Sequence, residues 1–189
     1  MRKISKKSKA KGSNYELKIS KILSEWTGED VHRTPQSGAG GYTWGADSRM
    51  NGDIVFPVDS NNSFVYELKK REGWDFKHLL LNTGQIKEWW KQVVTDARRM
   101  KEHGMSPCLI FSKNRDKDYV IIPYVENIFK QLQAANHPVA NQYISFEDEN
   151  GKTNRFDVIL TTLDALTSFV YPSDIFDTYK NLDWDKENE

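Results

Sequence analysis

The sequence predicts an α/β (or α+β) domain in which a mixed central sheet is flanked by helices, in the order αβββαβ with a C-terminal extension. Three observations support this prediction. The chain has 189 residues, which is the size of one compact domain. Two segments carry apolar residues at helical spacing. Short apolar runs bounded by turn residues lie between and after these segments, as is typical of strands.

The first helical pattern covers about residues 14–26 and ends at Gly28. At its start, Ser13 and Glu16 have the spacing of a capping box, in which the Glu16 side chain bonds back to the Ser13 amide. Glu16 also lies about 20° beyond Leu23, at the edge of the buried stripe, because each helical residue turns by about 100°. Its carboxylate therefore either caps the helix or reaches a site beside the sheet.

Three short strands follow this helix in the prediction. Residues 31–34 form the first, and residues 53–58 and 64–70 form two more, which the polar turn at residues 59–63 joins as a hairpin. In the hairpin register that this turn favours, the apolar side chains of both strands fall on one face, which supports the register.

The opposite face of the predicted hairpin carries Asp53, Glu67 and Lys69, with Asp53 opposite Lys69 and diagonal to Glu67. Two carboxylates that converge can bind a hard cation such as Mg²⁺, and a neighbouring lysine can orient an attacking water, which are the groups that phosphodiester hydrolysis needs. The other interpretation is a cross-strand Asp–Lys pair beside a solvated glutamate. The hairpin alone favours this second interpretation.

A second amphipathic pattern predicts a helix over residues 84–103, which Gly104 ends. Gln85 lies about 40° from Trp89, at the margin of the buried face. It is either a polar residue of the first turn or a contact to phosphate or a metal-bound water. The remaining pattern predicts strands at 108–111 and 119–122, a helix at 125–135, a hairpin turning at Asn150 and Gly151, and a short helix near 163–169.

Asp53, followed by a turn and then by Glu67-Leu68-Lys69, resembles the D…(D/E)-x-K signature of the PD-(D/E)XK nuclease superfamily, with Gly52 in place of its proline. Further motifs resemble the archaeal-type Holliday junction resolvases and their phage relatives. These are Lys11-Gly12-Ser13 before Glu16, the segment from Arg33 to Gly38, and a helical glutamine. The resemblance covers roughly residues 11–122.

This resemblance implies a restriction-endonuclease-like core and a set of site residues. Asp53 and Glu67 would bind Mg²⁺ or Mn²⁺ with the Leu68 carbonyl, Glu16 would complete the metal site, and Lys69 would position the nucleophilic water. Ser37 would contact the region of the scissile phosphate. Family members of this kind are homodimers that present two sites to a four-way junction. The nucleic-acid contacts that we expect are Ser37, Arg33, Gln85, Lys11 and Lys70.

Charge and composition add limits to the function. The formal net charge is zero, but residues 1–11 carry six basic residues and no acid, so we expect either a flexible arm that contacts phosphate or a solvated tail. The single cysteine, Cys108, excludes an internal disulfide and agrees with a reducing compartment. The sequence lacks a P-loop, a dinucleotide fingerprint, a triad pattern and an apolar run that could span a membrane.

The sequence therefore predicts a cytoplasmic, Mg²⁺-dependent endonuclease that acts on DNA, branched or duplex, as a homodimer in a bacterial, archaeal or phage-infected cell. We expect a basic arm at residues 1–11, the nuclease core at 12–135 and an extension of unknown role at 136–189. The alternatives are another nuclease on the same core, such as an exonuclease, a restriction-like enzyme or a repair nickase, and a non-catalytic nucleic-acid-binding module.

Overall fold

The computed structural model describes residues 6–35 and 51–189, with side chains from residue 10 onward. The first half of the chain forms α1 (Lys6–Thr27), β1 (His32–Arg33), β2 (Ile54–Val55), β3 (Phe64–Lys70), α2 (Phe76–Leu80) and α3 (Gly84–Arg98). The second half forms β4 (Ser106–Ser112), β5 (Tyr119–Pro123), α4 (Glu126–Ala134), β6 (Val139–Glu147), β7 (Thr153–Thr162), α5 (Leu163–Phe169) and α6 (Pro172–Lys180).

A five-stranded sheet in the order β3-β4-β5-β7-β6 forms the centre of the fold. β3 and β4 are parallel and are connected through α3, whereas the other neighbouring strands are antiparallel. β1 and β2 form a separate two-stranded antiparallel ribbon. The predicted mixed α/β sheet flanked by helices is therefore confirmed, and it agrees with a restriction-endonuclease-like fold.

Helices cover both faces of the central sheet, and the side chains of β3 alternate between two apolar clusters. Phe64, Tyr66 and Leu68 pack with α1, α4, α5 and α6 in one cluster. Val65 packs in the other cluster, against the apolar stripe of α3 that contains Trp89 and Trp90. One edge of β3 pairs with β4, and the other edge ends the sheet, so this second edge is open to contacts from other segments.

The predicted hairpin of residues 53–58 and 64–70 is wrong in its pairing. β3 has the predicted bounds, but only Ile54–Val55 is extended before it, and this short strand pairs with β1. The predicted shared face is nevertheless present, since the rings of Phe56 and Tyr66 stack with centroids 5.7 Å apart. Long-range pairing with β1 therefore replaces the local ladder that the turn favoured.

The predicted start of the first helix at Ser13 is also wrong. α1 begins at Lys6, which places Ser13 inside the helix and makes residues 6–11 of the expected basic arm helical. The capping box of Ser13 and Glu16 is therefore absent, because a cap residue must flank a helix rather than lie within it. The predicted end is confirmed: Gly28 has φ +73° and its N–H donates to the Ser24 carbonyl at 2.8 Å.

Residues 139–180 contribute two strands and two helices to the same core. β6 and β7 complete the central sheet, and α6 places Phe176 and Tyr179 against Phe64 of β3. The predicted hairpin turn and the helix at Leu163–Phe169 are confirmed, whereas α2 and α6 lie in segments for which the sequence analysis predicted no element. Within residues 6–35 and 51–189, no helix combines the length and apolar character needed to span a membrane.

Arg98, at the end of α3, ties the last residues of the chain to the sheet. Its guanidinium donates to both carboxylate oxygens of Asp185, at 2.7 and 2.8 Å, and to Asn154 Oδ1 at 2.6 Å. Asp185 is 6% exposed, so removing the guanidinium leaves a charge with little access to water.

Replacing this arginine should therefore destabilise the fold. We expect Arg98→Ala to lower the free energy of unfolding by about 2 kcal/mol, as measured by urea denaturation. The matched control is Arg99→Ala, because Arg99 is more exposed and pairs with Asp96 one turn away on its own helix. Equal effects of the two substitutions would contradict this role of Arg98.

Candidate active site

The candidate active site lies at the open edge of β3, where the chain before β2 approaches the strand. The Asp53 N–H donates to the Tyr66 carbonyl at 2.7 Å, and Asp53 Oδ2 accepts the Leu68 N–H at 2.7 Å. The Asp53 carbonyl in turn accepts the Thr34 N–H at 2.9 Å. Hydrogen bonds to β3, and to Thr34 directly after β1, therefore fix the Asp53 carboxylate beside β3.

The close approach of this segment depends on Gly52. Its φ of +87° is a conformation that favours glycine, and a Cβ built there would lie 2.5 Å from the Tyr66 carbonyl oxygen. The Gly52 carbonyl accepts the Thr34 hydroxyl at 2.8 Å. A glycine therefore stands where the superfamily signature has proline, and the reason is the short distance to β3.

A methyl group at position 52 should push Asp53 away from β3. We expect Gly52→Ala to cost about 2–4 kcal/mol of stability, from overpacking and backbone strain together, and to reduce any cleavage activity as well. Gly28→Ala is the matched control, since Gly28 also has a positive φ but its Cβ would meet nothing within 4 Å. Urea denaturation of both variants tests this, and similar losses at the two positions would contradict it.

Glu67 and Lys69 are two residues apart on β3, so their side chains project from the same face of the strand, as the sequence predicted. Their side chains form an ion pair. Glu67 is 4% exposed, whereas 20% of the Lys69 side chain is exposed. A buried carboxylate is thus joined to an ammonium group that reaches solvent.

Burial dominates the electrostatics of both acids. The pKa of Asp53 is raised to about 6: burial and the charge of Glu16 raise it, while the Leu68 N–H and the charge of Lys69 lower it. The pKa of Glu67 is raised to about 7: burial and the charge of Asp53 raise it, and Lys69 lowers it. Two neighbouring carboxylates repel each other when both are ionised, so a cation bound between them would be stabilised.

Glu16 and Arg33 form a polar contact on the α1 side of the site. Arg33 Nη1 donates to Ser13 Oγ at 2.6 Å and lies 3.6 Å from Glu16 Oε2. Glu16 is near enough to raise the pKa of Asp53. Among the residues that the structure describes, however, no group of three or more His, Cys, Asp and Glu side chains is arranged to hold a metal ion.

The oxygen ligands at the open edge nevertheless fit a hard cation. Mg²⁺ binds through one or two carboxylates and keeps several waters, and Asp53 and Glu67 provide that number. The Leu68 N–H points to the open edge because it reaches Asp53, and the N–H and C=O of one strand residue point to the same side. The Leu68 carbonyl, which the resemblance implies as a ligand, therefore faces the same edge.

Asp96 of α3 is an acidic residue near the site that the sequence analysis missed. Its charge raises the pKa of both Asp53 and Glu67, and its own pKa is raised, chiefly by burial. A signal for it was present: at about 100° per residue, Asp96 lies about 20° from Trp89, on the same side of the helix as Gln85.

The expected nucleic-acid contacts are spread over several elements. Gln85 Nε2 donates to the Glu72 carbonyl at 3.3 Å, at the end of α3 distant from Asp96 along the helix. Lys11 and Lys70 line a pocket beside α1, and Ser37 lies outside the described residues. The roles of these residues stay predictions.

Comparison with known proteins identifies a family for the chain. A family model described as phage putative PDDEXK endonuclease matches residues 7–177. The chain is also 29% identical over 139 residues to Protein D14 of Escherichia phage T5, which covers 71% of this chain and 82% of that protein. No solved structure matches it.

The family match confirms the superfamily that the D…E-x-K spacing predicted, whereas the resemblance to Holliday junction resolvases stays a prediction. Because the matched region includes α1, the open edge of β3 and the whole central sheet, it covers every element that positions Asp53, Glu67 and Lys69. The chain belongs to the phage putative PDDEXK endonuclease family, within the PD-(D/E)XK superfamily of nucleases.

Proposed function

We propose that the protein is an endonuclease that hydrolyses DNA phosphodiester bonds with the help of a divalent cation. The observation that carries the proposal is the convergence of two carboxylates with raised pKa values, Asp53 and Glu67, with the partly exposed ammonium group of Lys69 at an open sheet edge. A purely structural ion pair needs one carboxylate for one lysine, so the second carboxylate at this site calls for another partner.

Asp53 and Glu67 would hold Mg²⁺ or Mn²⁺, with the Leu68 carbonyl and Glu16 as further oxygen ligands, directly or through water. Such a cation acidifies a bound water and neutralises charge on the phosphate. The main-chain contacts of Asp53 keep its carboxylate in place before any ligand arrives, which lowers the ordering cost of binding.

Lys69 would act on the attacking water and on the phosphate. Hydrolysis adds water across a P–O bond, so the attacking oxygen loses a proton and the leaving oxygen gains one. The Lys69 ammonium group donates hydrogen bonds, which can orient the water and stabilise the negative charge that develops on the phosphate oxygens. Its ion pair with Glu67 keeps it beside the carboxylates that would hold the cation.

We further propose that branched DNA is the preferred substrate and that the protein works as a homodimer. The order of motifs shared with the junction resolvases supports this choice of substrate. Two sites related by a two-fold axis would allow paired cuts in a four-way junction.

A gel assay with Mg²⁺ tests this proposal. The substrates are a four-way junction, linear duplexes with the sequences of its arms, and single strands, each labelled at one end. Symmetric paired nicks in the junction, together with a dimeric mass in solution, are the expected result. Shortening from ends would identify an exonuclease, and internal cuts in linear duplex a restriction-like enzyme. Binding without any cut would overturn the proposed catalysis in favour of a binding module.

A further inference from the structure

A basic pocket lies beside the candidate active site, on the α1 side of β3. It has a volume of about 490 Å³, and we call it the lysine pocket. Side chains from three parts of the fold line it: α1, the end of β3 and the loop after β4. They are Lys11, Asn14, Tyr15, Lys18, Lys70 and Asn114.

Two of the ammonium groups lie near the ring of Tyr15. Lys70 Nζ lies 5.3 Å from the ring centroid and Lys18 Nζ lies 6.0 Å from it. Tyr15 is 3% exposed, so its ring is a fixed part of the core. A cation beside an aromatic face is stabilised by the ring quadrupole, so the ring favours a positive charge on both lysines.

Two carboxylates balance the pocket only in part. Lys18 Nζ lies 2.5 Å from Asp118 Oδ2, and Lys11 Nζ lies 3.6 Å from Glu72 Oε1. Three ammonium groups and two carboxylates leave a net positive charge. The Glu72 side chain is more than half exposed, so water screens it strongly.

The donors in the pocket match a phosphate group. Ammonium groups only donate hydrogen bonds, and the amides of Asn14 and Asn114 provide further N–H donors around the same space. A phosphate oxygen can accept several such bonds, and lysine binds phosphate as a point charge. Because the pocket is open, it can admit a phosphate that remains part of a polymer.

Lys69 and Lys70 connect this pocket to the reaction. They are consecutive residues of β3, so their side chains project to opposite faces of the strand. A nucleic-acid strand that contacts both lysines must therefore cross the end of β3 beside its open edge.

We propose that the lysine pocket binds one internal phosphate of the nucleic-acid strand close to the phosphate that is cut, and so fixes the direction in which the strand crosses β3. This inference rests on the proposed function for the identity of the scissile phosphate. Binding at the pocket is measurable without any cleavage.

The experiment measures DNA affinity as a function of salt concentration for two proteins. The first is Glu67→Gln, which is expected to bind DNA without cutting it. The second, the triple variant, adds Lys11→Gln, Lys18→Gln and Lys70→Gln to this background. One phosphate contact contributes about 0.9 to the slope of log affinity on log salt, or roughly eightfold in affinity for each tenfold dilution of salt. The three substitutions together should lower the slope by about 1, because they remove one shared contact. Lys21→Gln is the matched control on the exposed side of α1.

A second measurement locates the phosphate. In the Glu67→Gln background, four-way junctions that carry a single uncharged methylphosphonate linkage should bind more weakly when the linkage stands at one internal position. In the triple variant, a linkage at that position should cause no further loss of affinity. A variant with Lys18→Gln and Asp118→Asn avoids an unpaired carboxylate and guards against misfolding. Because this variant keeps the net charge of the pocket, we expect it to weaken binding less than Lys18→Gln alone.

The outcomes separate the two proposals. An unchanged salt slope, or the absence of any linkage coupled to the pocket, would overturn the lysine pocket even if the native protein cuts DNA. Coupling only to a 5′-terminal phosphate would overturn the internal phosphate. A coupled internal linkage in a protein that never cuts DNA would support the pocket and overturn the proposed catalysis.

Discussion

Asp53→Asn and Glu67→Gln are each expected to lower the rate of DNA cleavage by about a hundredfold to a thousandfold or more, while DNA affinity changes little. Each substitution keeps the shape of the side chain but removes an anionic oxygen ligand, so the site loses its hold on a cation. Affinity should persist because phosphate contacts come from basic residues outside this pair.

Single-turnover cleavage with saturating protein measures the chemical step, and a binding titration in EDTA measures affinity. Asp59→Asn is the matched control, because it makes the same change in charge at an exposed turn between β2 and β3. Normal cleavage by either of the two site variants would remove that residue from the mechanism. A parallel loss of affinity would show instead that the fold or the binding surface had changed.

The sequence predicted which residues meet at this site better than it predicted how they meet. The bounds of β3 and the shared face of Glu67 and Lys69 followed from alternation along one strand, which is a local property. Asp53 was placed by assuming a hairpin ladder, and that ladder is absent. The aspartate reaches β3 through its own side chain and one main-chain hydrogen bond, because β2 pairs with β1 instead.

The remaining errors concern contacts between distant parts of the chain. Ser13 looked like a helix cap, but its hydroxyl accepts from Arg33, which lies 20 residues away in the chain. α6 was missed because its contacts are made with β3 and the residue before it, more than a hundred residues earlier in the chain. The Phe176 carbonyl, for example, accepts a hydrogen bond from the Ser63 hydroxyl. A local pattern cannot show contacts of this kind. The position of Asp96 near the buried face of α3, in contrast, could have been predicted from the angle of about 100° per helical residue.

The same two acids should make the stability of the cation-free protein fall as pH rises. Their pKa values in the folded state, about 6 for Asp53 and about 7 for Glu67, lie above the unfolded values of 3.8 and 4.5. Between about pH 4 and pH 7 the folded state therefore binds more protons than the unfolded state, so the free energy of unfolding decreases with pH in this window. The contribution is fully present below pH 4 and lost above pH 7.

Melting temperatures in EDTA test this, and Glu67→Gln isolates the contribution from that of other titrating groups. We expect the variant to melt higher than the native protein at pH 8 and to show a weaker decline between pH 5 and pH 8, since an amide avoids the cost of a buried charge. A native protein that becomes more stable than the variant as pH rises would contradict the burial that raises both pKa values.

A divalent cation should reverse this loss at high pH, because it binds the ionised pair in the folded state alone. At a concentration one hundred times its dissociation constant, the added stability is about 2.7 kcal/mol, which corresponds to roughly 5–10 °C in the melting temperature of a chain of this length. The rise should be smaller at pH 5, where protons compete for the carboxylates, and should vanish in Asp53→Asn. Sodium chloride at equal ionic strength controls for screening. An equal rise in Asp53→Asn would mean that the cation binds elsewhere, and the two carboxylates would then be a buried pair that costs the fold stability without holding a metal.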